Sequence, residues 1–460
     1  MNQYDAIIIG AGPAGIFSAL ELLKLKPNAK VMIFEKGRDI VDRVCPANTN
    51  NVKCPGCKPC SIMSGWGGAG AYSDGKLTLT TEFGGWLPEY LGKPEVSLLI
   101  DYIDKIYLQF GGTQETFGHY DANVREIERR AAVANLMLVP AIIRHLGTEK
   151  NYEILKRMRE FLDGKLDIHL METVEKIITE DNVVKGVALK DGREFRAKYV
   201  ISGPGREGAE WFEGECRRLG LTIKNNQVDI GVRVEVPASV MEHITDHVYE
   251  SKLMYYTNAF DDLVRTFCMN PFGQVVIENT DGLMTVNGHS FAEKRTQNTN
   301  FALLVSKRFT EPFNEPIAYG KYIARLANML GGGVIVQRFG DLKRGRRSTV
   351  ERIERGMVQP TLMDATPGDL SLVLPHRHLM DIIEMLEAME SVAPGVASTH
   401  TLLYGVEVKF YSARLALSDK LETTIENLFA IGDGAGVTRG LAQASASGVH
   451  VAREVARRLD

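Results

Sequence analysis

The segment Tyr4-Asp5-Ala6-Ile7-Ile8-Ile9-Gly10-Ala11-Gly12-Pro13-Ala14-Gly15 leaves this chain few ways to fold. A short apolar run leads directly into G-x-G-x-x-G. Beyond it Ile16, Leu20, Leu22 and Leu23 take helical spacing, and a second apolar run, Val31-Met32-Ile33-Phe34, ends at Glu35. Strand, glycine turn, helix and strand in this order form the fingerprint that holds a dinucleotide. Gly10 permits the tight turn, Gly12 lets the backbone approach a pyrophosphate, and Gly15 brings helix and strand together. The helix start offers unpaired N–H groups and partial positive charge to phosphates. Glu35 is placed to accept hydrogen bonds from ribose hydroxyls and to repel a 2′-phosphate.

The far end of the chain carries a second turn of the same kind. Asn427-Leu428-Phe429-Ala430-Ile431 reads as a strand running into Gly432-Asp433-Gly434-Ala435-Gly436, and a helix is expected from about 441 to 459. Ala442, Ala444, Ser445, Ala446, Ser447 and Gly448 keep that helix slim. The arrangement resembles the C-terminal motif of the two-dinucleotide-binding flavoprotein superfamily. The resemblance implies FAD, with Asp433 delivered to the ribityl or pyrophosphate region and the next helix aiming its N-terminus at the flavin ring. The residues expected to bind FAD are Gly10, Gly12, Pro13, Ala14, Gly15, Glu35, Lys36, Gly67, Gly68, Ala69, Gly203, Gly432, Asp433, Gly440 and Leu441.

Two motifs so far apart must meet in one domain, so the middle of the chain must contain an insertion. The fold class expected is α/β: a Rossmann-like FAD-binding domain of parallel sheet, helices and β-meander, with an inserted α+β substrate domain. The boundaries read from the pattern are 1–229 and 375–460 for the FAD-binding domain and 230–374 for the insertion. Helical spacing predicts helices near 96–110, 152–162, 209–219, 301–308, 320–330 and 378–391. Short alternating runs predict strands near 167–170, 173–180, 183–189, 194–197, 230–236, 274–278 and 333–337, with a hairpin turn at Asp191-Gly192. Gly203-Pro204-Gly205-Arg206-Glu207-Gly208 repeats the glycine spacing. Pro204 removes an N–H and no acidic strand end follows, so this is read as a turn returning the chain to the FAD sheet.

At 460 residues the chain can bury a large core, and a net charge of −4 gives no whole-chain attraction to nucleic acid or anionic membrane. No apolar run is long enough to span a bilayer and no secretory signal precedes the first strand, so the cytoplasm is the expected compartment. Cysteines there are reduced, metal-bound or catalytic.

Four of the six cysteines cluster: Cys45-Pro46, then Cys54-Pro55-Gly56-Cys57-Lys58-Pro59-Cys60. The C-x-x-C-x-x-C run resembles the ligand run of bacterial-type ferredoxins, with Cys45 as a fourth ligand. A tetrahedral zinc site fits the same thiolates, and reactive thiols without metal, with an exchangeable disulfide among them, are the third reading. The glycine-rich stretch Ser64-Gly65-Trp66-Gly67-Gly68-Ala69-Gly70-Ala71-Tyr72-Ser73-Asp74-Gly75-Lys76-Leu77 follows at once and permits close approach to a flat cofactor.

This loop, with Ser202-Gly203-Pro204-Gly205-Arg206, Gly231-Val232-Arg233-Val234-Glu235, Phe267-Cys268-Met269-Asn270-Pro271-Phe272-Gly273 and Gly405-Val406-Glu407, looks like the hallmark of the poorly characterised FAD-dependent dehydrogenase family. These are relatives of geranylgeranyl-reductase-type and aminoacetone-oxidase-type flavoproteins. The resemblance implies an FAD-dependent oxidoreductase, and a small organic substrate is expected. Only one convincing dinucleotide site is present, so electrons are expected from transient NAD(P)H, from the cysteine-bound centre or from an external, ferredoxin-like carrier. Asp74, Lys76, Cys268 and Arg439 are the catalytic candidates, with Glu407 and Thr438 behind them. Arg439 departs from the family pattern and places a cation near the flavin. The alternatives are a flavin monooxygenase or oxidase, an RNA-modifying flavoprotein using the basic run Lys343-Arg344-Gly345-Arg346-Arg347, and a flavin-and-thiol sensor. That run is otherwise a solvated loop or an anion contact, and His376 and His378 read as a satisfied surface pair.

Overall fold

The computed structural model describes residues 3–46, 49, 57–73, 75–139, 141–224, 227–280, 282–290, 295–307, 309, 312–313, 315–409 and 414–459. The chain divides into two compact units, one made of 1–115, 144–224 and 412–460, the other of 116–143 and 225–411.

The first unit is built on a parallel sheet. The opening strand Tyr4–Ile9 lies between Val31–Glu35 and Glu194–Ser202, with Asp167–Leu170 beyond the former and Leu428–Ala430 beyond the latter. Glu194–Ser202 serves two sheets. Its second half pairs in parallel with the opening strand, while Glu194–Arg196 pairs antiparallel with Val183–Leu189, which pairs in turn with Val174–Glu180. This is the expected parallel sheet with its β-meander. The fingerprint helix Pro13–Leu25 packs on the closing helix Leu441–Arg458. A Cβ on Gly448 would lie 2.1 Å from the Ala14 carbonyl oxygen, and Ser18 Oγ donates to that oxygen and to Gly448 O at 2.9 and 3.1 Å. The small residues of the closing helix therefore serve helix-to-helix approach.

The second unit is an eight-stranded sheet in the order Thr366–Pro367, Ile335–Arg338, Leu402–Lys409, Val228–Pro237, Asn298–Lys307, Leu263–Asn270, Lys252–Tyr256 and Met137–Val139. Along Val228–Pro237 the residues alternate. Val228, Ile230, Val232, Val234 and Val236 join a core with Ile382, Met385, Leu386 and Met389 of helix His376–Met389. Asp229, Arg233 and Glu235 point to the opposite face and are also buried.

Two expectations are corrected here. The run at 301–308, read as a helix, lies over its described residues, 301–307, in the strand Asn298–Lys307, flanked on both sides by partner strands. A continuous apolar run buried on both faces carries no period to tell strand from helix. The insertion also does not end at 374. Leu402–Lys409 pairs with Val228–Pro237, and the unit further takes in 116–143, because Met137–Val139 pairs with Lys252–Met254.

Candidate functional site

The turn after the opening strand is shaped by close backbone contacts. A Cβ on Gly10 would lie 2.3 Å from Gly203 O, and one on Gly15 would lie 1.9 Å from Gly10 O. Gly12 differs. Its nearest neighbour would be Gly68 Cα at 4.0 Å, so internal packing does not require a glycine there. Gly12 caps the fingerprint helix without a side-chain hydrogen bond, Pro13 takes the first helical position, and the first turn carries no acidic residue. The closing helix starts the same way at Gly440, again with no side-chain cap and no acid in its first turn. The glycine-rich loop lies across both starts. A Cβ on Gly68 would sit 3.1 Å from Gly12 Cα, and one on Gly70 would meet Leu441 at 2.5 Å and Pro13 at 3.6 Å. Ala69 belongs to the 3-10 turn Gly68–Tyr72 between them, and Gly67 N donates to Ala11 O at 2.7 Å.

Two charged side chains fix this loop. Glu35, buried at the end of its strand, accepts from the backbone N–H of Ala11, Gly37 and Gly65 at 2.9, 2.8 and 2.9 Å. Its carboxylate is thus a staple joining the glycine turn to the loop. Arg43 is only 3% exposed. It donates to the carbonyls of Ser61, Ile62, Trp66 and Gly68 at 2.8, 2.7, 2.7 and 2.8 Å. Burial pushes the Arg43 guanidinium down from its ordinary value, and Tyr72, Glu35 and Cys60 act against that shift. Tyr72 covers it at 5.0 Å and donates to the Arg43 carbonyl. Sequence reasoning missed Arg43, which lies among cysteines and valines with no motif around it.

At the other end of the site Gly432 sits against Ala14, where a Cβ would lie 3.1 Å from Ala14 Cβ. Asp433 accepts from Thr438 Oγ1 at 2.7 Å and Arg206 Nε at 3.1 Å. Gly203 N donates to Ile9 O, and a Cβ on Gly434 would strike Gly205 O, so the second glycine run packs against the C-terminal turn. Lys36 turns to Glu207, donating to its carbonyl at 3.1 Å. Residues 84–86 run antiparallel to 437–439, and the Arg439 guanidinium lies 3.6 Å over the Trp86 ring. Lys76 is half-buried on the strand Lys76–Thr78. Asp74 lies outside the described residues.

The remaining catalytic candidates belong to the second unit. Cys268 is half-buried in a left-handed backbone conformation, φ 49°, and its carbonyl accepts from Arg233 Nη1 at 3.0 Å. Glu407 is fully buried in a bidentate pair with Arg233 at 2.7 and 2.8 Å, with Lys409 at 3.0 Å. Burial alone would push its carboxyl up; Arg233 and Lys409 outweigh this and hold it below the usual carboxylate range. This locked carboxylate is not placed to exchange protons. In the basic run Lys343 pairs with Glu387, Arg344 donates to Gly340 O and Arg346 pairs with Asp341. His378 is no surface residue: it is 3% exposed, and neither ring nitrogen has a hydrogen-bond partner among the described residues.

FAD is the group this fold implies, and the residues present fit it. Among the described residues the buried hydroxyls of Ser64 and Ser202 and Oε1 of Gln443 lack hydrogen-bond partners, and all three stand in the elements that form the cradle. Two uncapped helix starts and the open approach at Gly12 complete the fit. The metal reading fares differently. Cys54 lies outside the described residues, and among the described residues no group of three or more His, Cys, Asp or Glu is placed to hold a metal ion.

Residues 227–410 match the family model for the FAD-dependent protein, C-terminal domain-like. Over 99% of its length the chain is 25% identical to an uncharacterized protein of Clostridium beijerinckii (strain ATCC 51743 / NCIMB 8052), covering 81% of that protein. Among solved structures, the formate oxidase of Aspergillus oryzae RIB40 is 13% identical, with 99% of this chain and 98% of that one aligned at a TM-score of 0.46. The glycine oxidase of Geobacillus kaustophilus is 12% identical over 99% and 95%, at a TM-score of 0.39.

Proposed function

We propose that this chain, whose residues 227–410 match the family model for the FAD-dependent protein, C-terminal domain-like, is an FAD-dependent oxidoreductase. The observation that carries the proposal is the cradle at Gly12, open in front of a helix start that no side chain caps and closed from above by Gly68. Backbone N–H groups at the starts of the two helices would hold the pyrophosphate. Ser64, beside the Glu35 staple, and Asp433 would hold hydroxyls of the ribose and ribityl chain. Gln443 Oε1 would accept a donor on the ring edge. When bound, FAD supplies hydride or single-electron transfer to or from a small organic substrate. Arg439, held flat on Trp86, places a fixed positive charge beside the closing helix start. That charge favours an anionic substrate or an electron-rich ring. The cytoplasm, where thiols stay reduced, fits this reading.

The electron partner is proposed as transient NAD(P)H or a ferredoxin-like donor. No described observation favours an iron–sulfur or zinc centre at Cys45, Cys54, Cys57 and Cys60, so no step is assigned to one. Two of the four cations in the basic run, Lys343 and Arg346, are paired with Glu387 and Asp341, which reduces the charge offered to an RNA partner there. The test is the visible spectrum and extracted flavin of the purified protein, followed by anaerobic reduction with NADH, NADPH and reduced ferredoxin. One FAD per chain, with slow reoxidation in air, is expected. Rapid reoxidation would move the chain to the oxygen-using oxidases and monooxygenases, and absence of flavin after incubation with excess FAD would overturn the proposal.

A further inference from the structure

The glycine-rich loop is held by Arg43, and the grip has a second neighbour that the flavin chemistry does not use. Cys57 and Cys60 stand in C-x-x-C spacing just before the segment Arg43 holds; Cys57 is exposed and Cys60 is half-buried, both with free thiols. The Cys60 carbonyl accepts from Ser64 N at 2.9 Å, so Cys60 opens the turn that leads into the loop. The carbonyl of the next residue, Ser61, accepts from Arg43 Nε, and the same guanidinium reaches Gly68, which closes over Gly12. A continuous path thus runs from an exposed thiol to the backbone that covers the pyrophosphate cradle.

We propose that Cys57 and Cys60 are a redox-active dithiol whose state is passed through Arg43 to the cofactor loop. The co-reactant is a small organic disulfide. The exposed Cys57 thiolate attacks one sulfur of the disulfide, forms a mixed disulfide and expels one thiolate. The Cys60 thiolate then attacks the Cys57 sulfur, closes the Cys57–Cys60 bond and expels the second thiolate. Two protein thiols are oxidised, one external disulfide is reduced to two thiols, and the two protons pass to the leaving thiolates. A closed disulfide fixes the separation of the two Cα atoms to a narrow range. It therefore resets the turn at Cys60 and, through Ser61, the position of Arg43. The coupling half of the proposal rests on the FAD reading; the dithiol half does not.

The test uses the full chain equilibrated in mixtures of reduced and oxidised glutathione, quenched by alkylation and read by mass spectrometry. A loss of two hydrogens confined to the peptide carrying Cys57 and Cys60 is expected. It should vanish in Cys57→Ser and persist in Cys45→Ser. FAD affinity, read by flavin fluorescence, should differ about fivefold or more between the reduced and oxidised forms, as a coupling of this kind requires, and should not respond to glutathione in Cys57→Ser. A tightly held metal ion protecting both cysteines, a disulfide that never forms, or equal FAD affinity in the two forms would each overturn the proposal. Absence of FAD binding in both forms would sink the flavin reading and the coupling with it, while the mass measurement still decides the dithiol.

Discussion

At the scale of single residues, the three glycines of the fingerprint are alike in sequence and unlike in cause. Gly10 and Gly15 are required by backbone within 2.3 and 1.9 Å of a would-be Cβ, whereas a Cβ on Gly12 would meet only Gly68 Cα at 4.0 Å, an ordinary contact. Gly12→Ala is therefore expected to leave the apo protein within about 1 kcal/mol of wild type and to weaken FAD at least about tenfold, a difference of about 1.4 kcal/mol. Gly15→Ala should fail to give folded protein. Thermal melts with and without FAD separate the two. His378 sets a second expectation. Burial, with Lys307 and Arg377 nearby, pushes its imidazole down to about 4 from an ordinary value of 6.5. Below 6.5 the unfolded chain takes up a proton that the folded one refuses, so stability present above pH 6.5 is lost as pH falls towards 4. The loss reaches about 3 kcal/mol once both values are passed. Asp381 on the same helix works the other way: burial raises its carboxyl, and the stability it contributes at low pH is lost as pH rises through its folded value. Comparing His378→Leu with wild type isolates the histidine. The variant should unfold in urea with a flatter pH dependence between 6.5 and 4; an unchanged slope would refute the assignment. The fingerprint glycines were legible because their spacing is local. Arg43 was not, because its value lies in four carbonyls brought to it by the fold.

At the scale of elements, the strand Val228–Pro237 shows why a buried polar face escapes sequence reading. Its alternation is plain, and the ordinary inference from Asp229, Arg233 and Glu235 is a solvated face. Here both faces are covered, and Arg233 and Glu407 neutralise each other in the interior, with Asn300, Asn287 and the Cys268 carbonyl accepting from the rest of the guanidinium. Removing one member of such a pair strands the other charge. Arg233→Met is expected to cost about 3–5 kcal/mol by the same argument, read as the denaturant midpoint of the full chain, whereas a surface variant such as Arg129→Ala should stay within about 0.5 kcal/mol. The strand at 298–307 was misread for a related reason. Its partners on both sides, set by pairing registers far away in the chain, decide its form, and the run of apolar residues does not.

At the scale of the whole molecule, the architecture was legible at its ends and not at its seams. The two glycine turns announce one unit split by an insertion, and the sheet order bears that out, with Leu428–Ala430 beside Glu194–Ser202 in the sheet of the opening strand. Nothing in residues 116–143 marks them as part of the second unit, because their contribution is a single short strand pairing at Lys252–Met254 and a helix over the same core. A fragment of residues 225–411 alone would leave the strand Lys252–Tyr256 as an uncovered edge. It is expected to self-associate on size exclusion. Linking residues 116–143 back to it should restore a monodisperse species, and a monodisperse fragment without them would count against the described unit.

The contact between Ser18 and Gly448, 430 positions apart, has a consequence for how the molecule is made. Synthesis delivers the fingerprint helix 430 positions ahead of its packing contact, so on the ribosome the apolar side of that helix must wait while the intervening chain, the second unit included, is made. The turn at Gly10–Gly15 gains its second helix start only once Leu441–Arg458 has emerged, so shortening that helix by a few turns would be felt at glycines more than four hundred positions upstream.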